Sequence, residues 1–370
     1  MARQGYSSAV PLALVFAGLI VYASLYPFSG WRLPGAGWAD VLRLPMPPWR
    51  VRFDIWSNLL GYLPMGALLY GAGVRSGGRP GPMAMLAVVL PALLSYGMEV
   101  TQQFLPGRYP SLLDWWLNTA GAALGVVLAW LLQTLSLVDR WEAARERWFV
   151  PHSGGALALM ALWPVGLLFP TALPLALGPG WERLQDGLAG LLLDVPWAQP
   201  MLDAIYQISV PQQHLPGLLE GLGLVLGLLS PCLLAFSVTR PGWRRAVMAL
   251  GAALMGLGST TLSAALNFGP THALAWLTPL VPKAMGVAAV LALLTLWVSA
   301  RLAAALGVVA LVAMLLLVLQ APVDPYFAES LQAWEQGRFI RFHGLAQWVG
   351  LLWPFAALFW LLGQIAARPR

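Results

Sequence analysis

Three short stretches of this chain concentrate polar side chains inside an otherwise apolar sequence. Arg50, Arg52, Asp54 and Asn58 open one apolar run, Glu99 and Gln102 close another, and Arg108, Asp114 and Asn118 open a third. An ionisable group where lipid would surround it costs from about 2.5 kcal/mol upward, so it faces a bundle interior and marks a functional position by default. Three readings follow from the residue types. The arginines and acids can pair with one another and fix helix packing. Arg50, Arg52 or Arg108 can instead grip a phosphate or carboxylate through the planar guanidinium fork, with the acids orienting the ligand. Or Glu99, with Asp114 as a second carboxyl, can move a proton as general acid or base.

The spacing gives these groups a common direction. Asp54, Trp56, Asn58 and Gly61 recur as Asp114, Trp116, Asn118 and Gly121, a D-x-W-x-N-x-x-G pattern repeated at an offset of 60 residues, and the chain has only three asparagines. At 100° per residue the Asp, Asn and Gly fall within about 60° of one another on a helix. Both copies enter from the same side, so a duplication would be parallel; local convergence on one useful helix start is the alternative. Glu99 and Gln102, three apart, also share a face. Gly121 and Gly125 continue the Asp114 stripe and admit a close helix neighbour.

The elements that position these groups are membrane helices. The chain has 370 residues, 59% apolar and 10% charged, against about 25% charged in soluble domains, which excludes a soluble globular enzyme. Ten apolar segments reach the roughly 20 residues a crossing needs: 8–28, 55–73, 83–105, 112–135, 155–177, 215–237, 246–268, 273–300, 302–319 and 344–367. The expected fold is all-α, a polytopic integral membrane helical bundle of about ten spans, because only helices or closed barrels satisfy the backbone in lipid. Twelve arginines, Arg244 and Arg245 among them, fall on the inner side and eight on the outer if both termini are cytoplasmic, which the positive-inside rule favours. Segment 273–300, broken by Pro279 and Pro282, is a kinked span or a re-entrant hairpin. Tryptophans near span ends read as an interfacial belt. The organisation is then a four-helix domain over 1–135, a cytoplasmic-surface linker helix over 136–152 and a six-helix domain over 153–370, with surface helix pieces or a lid over 181–206.

The blocks Arg52-Phe-Asp54 to Asn58, Pro64 and Gly66, and Glu99 to Gln102, Arg108, Asp114, Asn118 and Gly121 resemble the two signature blocks of the VanZ-like family over the first third of the chain. The resemblance implies an integral protein of the bacterial cell (inner) membrane, with a role in envelope or glycopeptide (teicoplanin) response. Many members carry a further acid where this chain has Ser111. The stretch from Arg338 to Trp348 resembles the C-terminal segment of longer relatives. The expected ligand is an acidic lipid or a cell-wall-linked molecule bound at the extracytoplasmic mouth; a lipid head-group hydrolase or transferase using Glu99 and Asp114, and a transporter, are the alternatives.

Beyond that region the signals thin out. Glu220 and Lys283, about 9 and 15 Å inside their spans at 1.5 Å per residue, are an expected intramembrane ion pair or part of a proton path. Cys232 reads as a small buried side chain. His214, His272 and His343 match no metal-ligand spacing, Gly71 to Gly81 form a turn and not a phosphate cradle, and no charge block resembles a nucleic-acid arm; no cofactor or metal is expected. The orientation has a direct check. A reporter fused after Arg75 is expected to read as cytoplasmic and one after Arg108 as extracytoplasmic, and a cytoplasmic Arg108 would reverse the assignment.

Overall fold

The computed structural model describes residues 9–26, 28, 30–35, 37–46, 52–106, 108–151, 153–193, 195–209, 211, 215–322 and 340–366. Its regular elements are helices: α1 (Ala9–Leu25), α2 (Arg52–Arg75), α3 (Pro80–Gln102), α4 (Leu112–Thr134), α5 (Leu137–Trp148), α6 (Gly154–Gly166), α7 (Trp181–Leu192), α8 (Gln199–Gln207), α9 (Gly217–Val238), α10 (Trp243–Phe268), α11 (Leu280–Leu294), α12 (Ala300–Gln320) and α13 (Ile340–Ala366). Six are long and apolar enough to cross a membrane, namely α3, α4, α9, α10, α12 and the Leu345–Ala366 part of α13, while Leu12–Leu25, α6 and α11 are shorter apolar helices. The protein is an integral membrane protein. It divides into two compact units, Met1–Ala144 and Arg145–Arg370.

In the first unit α2 and α4 make the most extensive helix contact, and α3 packs on both. A Cβ at Gly121 would land on the Leu59 carbonyl and one at Gly125 on the Leu63 carbonyl, so the two helices run parallel with their backbones touching. At the far end of the unit Arg75 and Glu142 form an exposed ion pair of 2.5 Å, which sets the middle of α5 against the end of α2. An exposed pair of this kind adds little stability.

The second unit is built around α9, which is buried along nearly its whole length from Gly223 to Val238 and packs against α6, α10, α11, α12 and α13. Cys232 is buried here at 2% exposure, as expected of a packing residue. Helix α10 carries a fully buried arginine: Arg245 is 0% exposed. Its guanidinium donates to the carbonyls of Thr239 at 3.1 Å, Leu296 at 3.2 Å and Val298 at 2.7 Å. These oxygens lie just beyond the ends of α9 and α11, where a helix leaves carbonyls without intrahelical donors. Arg245 thus acts as a clamp on two helix ends.

Two expected spans are broken. Segment 155–177 is helical only to Gly166; from Leu167 to Gly180 the chain is irregular yet buried, with Leu173, Leu175, Ala176 and Leu177 at most 4% exposed. Pro170, Pro174 and Pro179 explain the break, since each lacks an N–H and would clash with the preceding turn. Apolar composition does not distinguish a span from such a buried coil. Segment 273–300 follows a 3-10 turn at Pro270–His272 and becomes helical only at Leu280. Helix α11, 15 residues or about 22 Å long, begins just after Pro279 and takes Pro282 into its first turn, where proline is tolerated. The stretch 181–206 forms the short helices α7 and α8 joined by a 3-10 turn at Pro196–Ala198.

Replacing Arg245 by Met would strip those carbonyls of their donors and is expected to cost about 2–4 kcal/mol, read as a lower thermal unfolding midpoint of the purified protein. Arg245→Lys should recover part of the loss; equal midpoints for wild type and Met would remove the clamp.

Candidate functional site

The site of the first unit is assembled at the corner between α3 and α4. Ser111 is the N-cap of α4, its hydroxyl accepting from the Asp114 N–H at 3.2 Å, which satisfies one of the free donors of a helix start. The Ser111 N–H in turn donates to Glu99 Oε2 at 2.8 Å. Glu99, only 5% exposed, therefore ties the last turn of α3 to the first residue of α4. The Asp114 side chain hydrogen-bonds Ser111 and Asn58 and lies close to Asp54. Asp54 and Asp114 occupy the first turns of α2 and α4, where the helix dipole favours a carboxylate. The two copies of the repeated pattern thus stand side by side.

One turn deeper, Asn118 Nδ2 donates to Ser95 Oγ at 2.9 Å, and Ser95 also hydrogen-bonds the Tyr62 hydroxyl. Ser95 is completely buried and Asn118 is 5% exposed. The Asn118 Oδ1 is buried with no hydrogen-bond partner among the described residues. Leaving a buried carbonyl oxygen unmet costs about 1–3 kcal/mol.

Around this cluster the chain is pinned by side chains of the same corner. Arg108, half-buried, donates through its guanidinium to the Tyr26 carbonyl, and Gln102 Nε2 donates to the Ser24 carbonyl at 3.1 Å, so both hold the end of α1. Gln103 Nε2 donates to the Val41 carbonyl at 2.5 Å and the Tyr96 hydroxyl to the Leu42 carbonyl at 2.6 Å. The Leu112 N–H donates to the Pro45 carbonyl at 2.9 Å. These bonds fold the connection between α1 and α2 over the corner.

Residues 9–133 match the VanZ/LLP1 family model. The VanZ-like region comprises α1 to α4 and contains every described member of the cluster. No curated protein and no solved structure matches the chain.

Of the residues singled out from the sequence, Asp54, Asn58 and Asp114 meet at the helix starts, Glu99 joins them through Ser111, and Asn118 lies one turn below. Arg50 lies outside the described residues, and although Arg52 begins α2, its side chain also lies outside them. Glu220 is half-buried in the first turn of α9, whereas Lys283 is exposed in the first turn of α11; the structure does not join them in an ion pair. The reason is the break before α11, which puts Lys283 near a helix start and not within a long span. His272 is exposed, with Nδ1 3.0 Å from the Phe268 carbonyl; His214 and the His343 side chain lie outside the described residues. Ser95 and Tyr62 join the cluster without having been singled out from the sequence, and Ser111, noted there only as a departure from the family pattern, caps α4 within it. Ser95 stands four residues before Glu99 and Tyr62 four after Asn58, so extending each polar stripe by one turn would have found both.

The parallel repeat offers a matched test of the seam. Gly121→Ala, whose Cβ would strike the Leu59 carbonyl, is expected to destabilise the protein by about 1–3 kcal/mol. Gly61→Ala, with open space at its Cβ, should be neutral or slightly stabilising by helix propensity. Thermal unfolding of the two variants checks this, and equal shifts would contradict the close approach.

Proposed function

We propose that the VanZ-like unit binds an acidic lipid or a cell-wall-linked ligand at the α3–α4 corner, on the extracytoplasmic face of a bacterial cell membrane, and through this binding affects the envelope or glycopeptide (teicoplanin) response. The observation that carries the reading is a half-buried cation, Arg108, at the same α3–α4 corner as Glu99 and Asp114. Arg108 has one guanidinium nitrogen on the Tyr26 carbonyl, and a guanidinium offers a fork of further N–H donors suited to phosphate or carboxylate. Asn118 Oδ1 awaits a donor. Asp54 and Asp114 would repel an anion placed against them, so the acidic group of the ligand lies toward Arg108, and its hydroxyl or amine groups lie toward the aspartates. Arg50 and Arg52, just before α2, belong to the same proposal.

In this reading the chain crosses the membrane about ten times with both termini cytoplasmic. The six long apolar helices, the three shorter ones and α2 supply that number. Membrane lipids are the partners and no cofactor is required.

A second reading, head-group hydrolysis or transfer, is favoured by one observation: Ser111 links the two acidic residues, its backbone N–H donating to Glu99 and its hydroxyl accepting from the Asp114 N–H. Two measurements separate the readings. Native mass spectrometry of the purified protein is expected to show phosphatidylglycerol retained over phosphatidylcholine, with Arg108→Gln lowering that retention about tenfold. Membranes carrying Glu99→Gln should keep the wild-type lipid composition, whereas a lipid species that disappears with Glu99 would favour catalysis.

A further inference from the structure

The second unit contains a cavity of about 400 Å³, within the about 300–1,000 Å³ range of small-molecule sites. Its floor is the irregular stretch that replaces the rest of the fifth expected span: Phe169, Pro170, Thr171, Pro174 and Gly178 all line it. Non-helical backbone at such a place is tolerated where it is buried in protein or lines a cavity, and here it does both. Leu175 adopts φ 67° and Gly178 φ 144°, so the chain turns sharply beneath the cavity. The Ser263 hydroxyl of α10 fastens the start of the stretch by donating to the Leu168 carbonyl at 2.9 Å.

Among the described residues the walls combine aromatic rings with Arg183 and His272. Phe268 and Trp276 stand on the α10 side, the indole N–H of Trp276 donating to Thr261 Oγ1 at 3.3 Å. Arg183, from the amphipathic helix α7, lies with its guanidinium carbon 4.3 Å from the centre of the Phe169 ring, a cation–π arrangement that fixes the plane of the charge. Burial pushes the Arg183 guanidinium below its ordinary pKa and Glu182 beside it pulls it back up, yet a guanidinium stays protonated in a protein. Glu182 and Asp186, the acids of α7, are exposed and are not among the lining residues. The cavity therefore presents apolar rings to most of a guest and positive charge to one end of it.

We infer that this cavity is a binding site for an amphiphile with an apolar body and a single phosphate or carboxylate head, the head held by Arg183 and the body by Phe169, Phe268 and Trp276. The lining residues all belong to the second unit. Its chemistry separates it from a neutral lipid contact, which needs no cation, and from a free-anion site, which needs no aromatic walls.

The test uses the full-length Arg108→Gln protein in phosphatidylcholine nanodiscs, so that the first-unit site is already weakened, and titrates dodecyl phosphate, dodecanol and inorganic phosphate by calorimetry. Dodecyl phosphate is expected to bind saturably and at least about tenfold more tightly than either other probe. Adding Arg183→Gln should weaken dodecyl phosphate about tenfold, with Arg183→Lys intermediate. Ala275→Trp, which fills the cavity from its wall, should abolish binding while the unfolding midpoint stays within a few degrees of the parent. Dodecanol binding as tightly as dodecyl phosphate would overturn the role of Arg183. Inorganic phosphate binding as tightly would overturn the amphiphile, and unchanged binding in a folded Ala275→Trp protein would overturn the location.

Discussion

A carboxylate at the end of a membrane helix has to be met by a donor, and in this protein the donor is the first residue of the next helix. Glu99 accepts from the Ser111 N–H, and Ser111 is at the same time the cap of α4. That one serine sets where α4 begins and how it is rotated. With Asp114 fixed three residues later, Asn118 faces Ser95 on α3, and Gly121 and Gly125 face the α2 backbone. The seam between α2 and α4 allows no side chain between the helices, so the polar groups of the two repeat copies are brought together at its mouth.

The second unit meets the same requirement differently. Its central helix α9 is sheathed on all sides by other helices, and the backbone ends that this burial creates are satisfied by Arg245 reaching across from α10. Three prolines keep the chain after α6 out of a helix, and the resulting coil forms the floor of a cavity beside an aromatic-stacked arginine. In each unit, then, an arginine stands close to a broken or ending helix and contacts the protein there. Arg245 holds helix-end carbonyls, Arg108 holds the Tyr26 carbonyl, and Arg183 stacks on the Phe169 ring.

Much of the first unit was legible in the sequence because its signals are periodic. The expected segment 112–135 is the helix Leu112–Thr134, and the D-x-W-x-N-x-x-G stripe falls on facing helices. Ser111 was readable only as a departure from the family pattern, since its work is done through a backbone N–H that any residue except proline carries. Arg245 was indistinguishable from a surface charge, because burial of its guanidinium depends on carbonyls 50 residues away. The buried coil after Gly166 is as apolar as a span, and only its prolines distinguish it. The partner of Arg108, the backbone carbonyl of Tyr26 just past the end of α1, has no sequence signature at all.

These features describe a membrane protein whose VanZ-like third gathers acidic side chains and a half-buried arginine around one corner of a tightly packed helix trio. The central claim is that a ligand, and not an internal acid, completes that end. A structure of the protein extracted with its native lipids tests it most directly: the account predicts head-group density against the Arg108 guanidinium and within hydrogen-bonding reach of Asn118 Oδ1. Arg108 closed onto Asp114 or Glu99, with Asn118 satisfied by protein alone and no density between them, would contradict it.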